Sequence, residues 1–281
     1  MACAAAIFEQ RDPDEGSVFA YQSPLRLQSM RGPVEHVFEI PETWRGKYAG
    51  ALPGEEVRVR FQGNLAGPKV VVLGGISASR FVASGEGEPE GWWSDVVFTG
   101  GGIDLGRFCV IGVDYPPASL ADETSLCPED FARLIDAALL SAGVQELYAF
   151  IGASFGGMIG LSYARLFAHK VERLAVLCAA HEANPMAQAW RLVQRRIISL
   201  ARSAGRQEEG VALARQLAMT TYRAPEEFAG RFDPDLESQA NVGAYLEARG
   251  EQYSAEVTPA RYLTLSEAID RHQEQPENIT V

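Results

Sequence analysis

The sequence predicts an α/β fold, a mostly parallel sheet with flanking helices that is interrupted late in the chain by a helical insertion. Three observations carry this. Short Val/Ile-rich runs alternate with amphipathic patterns as far as His181. Five helical patterns then follow one another with no strand between them. Finally, a Gly-Ala-Ser-Phe-Gly stretch, Gly152–Gly156, stands where a strand pattern meets a helix pattern. The composition agrees: 281 residues, 47% hydrophobic and 22% charged, suit one globular core carrying an inserted subdomain.

The elements follow in order. "EEVRVRFQG" alternates polar and apolar and reads as a half-buried strand. "PKVVVLGG" is a buried strand ending in glycines, and "RFCVIGVDY" is another, stopped by Pro116-Pro117. "PEDFARLIDAALLSAGV" is an amphipathic helix with Pro128 near its start and Gly143 at its end. "ELYAFIG" is a strand, "GMIGLSYARLFAHKV" a helix and "VERLAVLCAA" a strand again. Strand–helix alternation of this kind builds a parallel sheet. After His181, "NPMAQAWRLVQRRIISLARSAG", "EEGVALARQLAMTTY", "PEEFAGRF", "VGAYLEARGEQYSA" and "PARYLTLSEAIDRHQ" are all helical. The expected organisation is a poorly ordered N-terminus over 1–20, a core over 21–182 and a helical lid over 183–275. Residues 276–281, with "NITV", begin a further core strand.

The formal net charge of −12 argues against nucleic acid or an anionic membrane as a bulk partner. The start, "MACAAAIFEQRDPDEG", lacks the cationic lead of a signal peptide, and no apolar run is long enough to span a bilayer. Cys3, Cys109, Cys127 and Cys178 form no CxxC, so neither a zinc site nor a disulfide framework is indicated. A cytoplasmic protein with reduced thiols and no metal or resident cofactor is expected.

G-x-S-x-G between a strand and a helix is the nucleophile elbow of α/β-hydrolases. Small neighbours permit a tight turn that lifts the Ser154 hydroxyl above the sheet. The amides after it open a helix N-terminus, where negative charge is favoured, so the Phe155 N–H is a candidate oxyanion donor. A second donor is expected from the loop after the "VVVL" strand, Gly74-Gly75-Ile76-Ser77, through the N–H of Gly75 or Ile76. An activated serine needs a histidine oriented by a carboxylate. Ser154 is followed by His169, His181 and His272. His169 is expected at a helix C-terminus facing away, and His272 solvated at a polar helix end. His181, after a core strand, is the one placed on the active-site edge.

"GASFGGM" resembles the elbow of the homoserine O-acyltransferase family, which has an α/β-hydrolase fold and acts in methionine biosynthesis. "LGGIS", "GWW…GGGIDLGRFCVIGVD", "AWRLVQRRI", "LARQLAMTTYR", "YLEARGEQY" and "YLTLSEAID" match the family in order. The resemblance implies a ping-pong reaction, with Ser154 taking an acyl group from acyl-CoA and passing it to the hydroxyl of homoserine. It implies that Arg223, in "TTYR", holds the amino-acid carboxylate, as a guanidinium does by two parallel hydrogen bonds. Arg191, in "RLVQR", and the loop with Gly74 and Ser77 resemble the succinyl-transferring branch, with Arg191 meeting the succinyl carboxylate. The resemblance also implies a homodimer contacting through the lid helices. The family's catalytic aspartate and histidine lie beyond the lid and match no position here, so the last strands and helices of the core are expected to be missing. Acetyl-CoA as donor and serine as acceptor remain open. So do an esterase or thioesterase using Ser154 with water, and an inactive truncated homologue.

Overall fold

The computed structural model describes residues 27–30, 32–232 and 241–281, so the expected disorder of residues 1–20 lies outside the described residues. The chain divides into two compact units. The first comprises Met1–Pro117, Thr124–Glu182 and Arg271–Val281, and the second Ala118–Glu123 and Ala183–Asp270.

In the first unit the elements are β1 (Val34–Glu39), β2 (Glu56–Gly63), β3 (Lys69–Leu73), β4 (Val97–Phe98), β5 (Ile103–Asp104), β6 (Cys109–Val113), α1 (Pro128–Ser141), β7 (Ala149–Ala153), α2 (Phe155–Leu166) and β8 (Leu174–Leu177). Six strands form one sheet in the order β1-β2-β6-β3-β7-β8, and β4 and β5 form a small parallel pair. β1 and β2 are antiparallel additions; β6, β3, β7 and β8 run parallel. The uninterrupted apolar run of β3 reflects its central place, since Val71 lies opposite both Ile111 and Phe150 and all three are fully buried. Removing each such side chain from water contributes roughly 1.5–3 kcal/mol. Among the described residues β8 pairs only with β7, and its residues are half-buried or exposed.

α1 starts where Cys127 is extended and Pro128 takes the first helical position. The Asp130 carboxylate accepts the Cys127 N–H at 2.8 Å and the Lys47 N–H at 2.7 Å. Burial pushes the Cys127 thiol up to about 12, so it packs as a neutral group.

The second unit comprises helices α3 (Pro185–Ser203), α4 (Gln207–Thr221), α5 (Pro225–Arg231), α6 (Val242–Glu256) and α7 (Pro259–Asp270). Asn184 starts α3 by accepting the Met186 and Ala187 N–H groups, and Asn241 does the same for Gly243 at the start of α6. Ile198, Val211, Ala214, Tyr253, Val257, Tyr262 and Leu263 form its core.

Two expectations about the last residues are corrected. α7 ends at Asp270 rather than running on through Gln273, and Arg271–Val281, whose first five residues were expected in the lid, clusters with the first unit. The reason is Glu274, which is buried and accepts from Ser162 Oγ and Arg165 Nε, both at 2.6 Å, while its N–H donates to His181 O. "NITV" forms no strand: Pro276–Asn278 is a single 3-10 turn, and 279–281 carry no regular structure. Pro276 lacks the N–H a ladder needs.

Candidate active site

Ser154 sits between β7 and α2 with φ +54° and ψ −119°, a backbone conformation that side chains rarely adopt. It is exposed, and its N–H donates to Leu177 O on β8 at 2.8 Å. The glycines around it are set by contact. A Cβ on Gly152 would lie against the Gly156 carbonyl and 2.6 Å from the Gly157 N, and one on Gly156 would lie 2.5 Å from Leu73 O. Strand, turn and helix therefore close only with hydrogen at these positions.

The loop after β3 meets this turn. Gly156 N–H donates to Gly74 O at 2.9 Å, and a Cβ built on Gly75 would lie 3.8 Å from both Cβ and Oγ of Ser154. The N–H groups of Gly75, Ile76 and Phe155 donate to no described residue. Ala78 N–H closes a turn on Gly75 O, and Trp92 Nε1 donates to Ser79 O. Of the loop positions singled out in the sequence, Gly75 lies beside Ser154, Gly74 is buried and Ser77 is exposed.

Among the described residues no histidine is hydrogen-bonded to Ser154 Oγ. His169 lies in the short 3-10 turn Ala168–Lys170 after α2. His181 is exposed. His272 is corrected from solvated to buried: its Nε2 lies 3.0 Å from Ala180 O, and burial holds its imidazole below the ordinary histidine range. Its polar neighbours in sequence suggested solvent, but the Glu274 anchor two residues on draws the segment inward.

The arginines of the second unit differ in what they already hold. Arg223 pairs with Glu227 one turn on, and Tyr245 bonds it as well. Arg191 and Arg195 share the Asp270 carboxylate at 2.6 and 2.7 Å. Arg215, passed over in the sequence, pairs with no carboxylate among the described residues. Its guanidinium lies 4.6 Å from the Tyr253 ring centroid and 5.5 Å from that of Tyr222, and its buried Nε, like that of Arg223, has no hydrogen-bond partner. The signal was present in "LARQLAMTTYR": Arg215 and Tyr222 stand seven residues apart, on one face of a helix. Among the described residues no His/Cys/Asp/Glu group is arranged to hold a metal ion, and no helix is long and apolar enough to cross a membrane.

A family model described as alpha/beta hydrolase fold matches residues 81–257. A homoserine O-succinyltransferase of Xanthomonas campestris is 37% identical over 256 residues, covering 86% of this chain and 69% of that protein. A serine O-succinyltransferase of Litchfieldella anticariensis is 29% identical over 272 residues, covering 83% and 74%. The crystal structure of a homoserine O-acetyltransferase from Staphylococcus aureus superposes with a TM-score of 0.73 at 22% identity, covering 86% of this chain and 73% of that one, which speaks to fold alone. The strained serine turn, the glycine contacts and these matches agree: the chain belongs to the alpha/beta hydrolase fold family and, within it, to the homoserine O-acyltransferases.

Proposed function

We propose that the protein transfers a succinyl group from succinyl-CoA to the hydroxyl of L-homoserine through an acyl-enzyme on Ser154, a step of methionine biosynthesis. The observation that carries this is the exposed, strained Ser154 beside the unoccupied Gly75 and Phe155 N–H groups. Ser154 Oγ attacks the thioester carbonyl, the oxyanion forms against those two donors, and the intermediate collapses with cleavage of the C–S bond, the serine proton leaving on the sulfur of CoA as its free thiol. Homoserine oxygen then attacks the ester and Ser154 regains its proton. The acyl-CoA enters as a substrate, so the reaction calls for no resident cofactor or metal.

Two features support a substrate rich in carboxylates. Arg191 and Arg195 together outweigh the one Asp270 carboxylate between them, which favours a donor whose acyl group ends in its own carboxylate. Arg215 is the better candidate than Arg223 for the amino-acid carboxylate, because its charge is not already neutralised. The reading is tested by intact mass after brief exposure to succinyl-CoA and, separately, acetyl-CoA. A succinyl adduct lost in Ser154→Ala is expected, passed to homoserine in preference to serine but only slowly, because among the described residues no histidine is hydrogen-bonded to Ser154. Arg215→Ala is expected to raise the KM for homoserine at least tenfold, with Arg223→Ala changing it less. No adduct from either thioester would sink the proposal.

We also infer a homodimer. Met186, Trp190, Val193, Ile197 and Leu200 recur at heptad spacing along α3, and Met186 and Leu200 are 65% and 75% exposed. A second copy of the same helix fits such a seam. Light scattering is expected to give a dimer for the wild type and a monomer for Val193→Glu/Leu200→Glu. A monomeric wild type would refute it. A cytoplasmic setting accords with the free thiols of Cys109, Cys127 and Cys178.

A further inference from the structure

We propose that Tyr115 is a positioning residue for the oxyanion hole, fixing the peptide that presents the Gly75 N–H and bracing the Phe155 donor opposite. The inference rests on the acyl-enzyme reading of Ser154 and concerns groups of the first unit alone.

Tyr115 follows β6 and is 2% exposed. Its hydroxyl donates to Gly74 O at 2.8 Å, and the same oxygen accepts the Gly156 N–H at 2.9 Å. Both lone-pair directions of that carbonyl are thus taken from below. The Gly74–Gly75 peptide is not among the cis bonds, so its N–H points opposite to its C=O. Pinning Gly74 O to Tyr115 and Gly156 therefore turns the Gly75 N–H the other way. Gly75 itself lies beside the nucleophile, since a Cβ built on it would stand 3.8 Å from Ser154 Oγ, and its N–H finds no described partner.

A glycine pair has little intrinsic preference to hold this orientation. Without an external lock the peptide could flip and withdraw the donor. Gly156 supplies one lock from the elbow itself; Tyr115 supplies the second from a different strand.

The ring of Tyr115 contacts the other donor. Its centroid lies 5.3 Å from that of Phe155 at 79°, and Phe131 closes the triangle at 5.1 Å from Phe155 and 6.0 Å from Tyr115. Phe155 is fully buried, so this edge-to-face cluster holds the first residue of α2 and with it the Phe155 N–H. One side chain therefore sets the separation of the two donors, which must suit the oxyanion of the transition state more closely than the ground-state carbonyl.

The test is Tyr115→Phe, which removes the hydroxyl and keeps the ring cluster. Losing an oxyanion donor outright costs about 10²–10³ in rate. Here Gly156 still holds Gly74 O, so the expected loss is about tenfold in the rate of Ser154 acylation by p-nitrophenyl acetate, with KM unchanged. Affinity for phenylboronic acid, which forms a tetrahedral adduct on the serine, is expected to fall by a similar factor. Tyr163→Phe serves as control. It deletes another buried hydroxyl, one that donates to Asp136 at 3.1 Å, and should leave both readouts unchanged whatever it does to stability. Equal acylation rates and equal boronate affinities in Tyr115→Phe and wild type would overturn the proposal. So would a parallel loss in Tyr163→Phe, which would reduce Tyr115 to general packing. Absence of wild-type acylation would overturn the acyl-enzyme reading itself, and the role of Tyr115 with it.

Discussion

Replacing Ser154 by glycine is expected to abolish acylation and, at the same time, to make the protein more stable by about 1 kcal/mol. The activity loss follows from removing the nucleophile. The gain comes from the backbone: φ +54° with ψ −119° places a Cβ where the main chain crowds it, a strain of roughly 1–3 kcal/mol that glycine does not feel. Glycine returns about 0.5–1 kcal/mol of this through the greater freedom of the unfolded chain, leaving the net figure positive. Ser154→Ala keeps the Cβ and hence the strain, so it should lose the acyl adduct with stability nearly unchanged. Urea unfolding of the three proteins, read beside their intact mass after succinyl-CoA, checks this. A glycine variant less stable than wild type would mean that the turn holds no strain, and the case for a turn shaped by function rather than by folding would fall.

The elements legible in the sequence were those whose pattern answers to one local cause. β3 after Lys69 and the whole of β6 are apolar because they are buried on both faces, and α3 starts at Asn184-Pro185 because these residues satisfy a helix start by themselves. The elbow was legible because its strand-turn-helix pattern is local and Gly152 is dictated by close approach to Gly156 and Gly157. β1 was not: "VEHVFE" is a short edge strand, half of it exposed, and its partner β2 supplies the pairing. The burial of His272 and the end of α7 were also out of reach, since both follow from Glu274 meeting Ser162 and Arg165 across more than a hundred residues. The contrast between Arg215 and Arg223 has the same origin. Both lie in one motif, and what separates them is the partner each meets: Tyr253 of α6 under Arg215, Glu227 of α5 beside Arg223. Tyr115, likewise, is one aromatic residue among many in sequence. Only the fold brings its hydroxyl to a carbonyl 41 positions earlier.

Gly152→Ala should cost about 3 kcal/mol or more together with the acyl-transfer activity. The added Cβ would meet the Gly156 carbonyl and the Gly157 N, which are backbone atoms and cannot rotate aside as a flexible side chain would. Nor can α2 move away as a body. Gly156 N–H is tied to Gly74 O, Gly157 N–H to Ser154 O, and Gly156 itself already packs against Leu73 of the central strand. Any shift that relieves the clash therefore breaks the contact between the serine turn and the loop carrying Gly75, so stability and activity should fall together. Gly102→Ala provides the comparison, since its Cβ would meet Val96 at an ordinary 3.5 Å and should change stability by less than about 1 kcal/mol. Urea midpoints for the two variants decide the matter. If Gly152→Ala unfolds where Gly102→Ala does and still acylates, the close approach of β7 to α2 does not position the serine, and the geometric basis of the site fails.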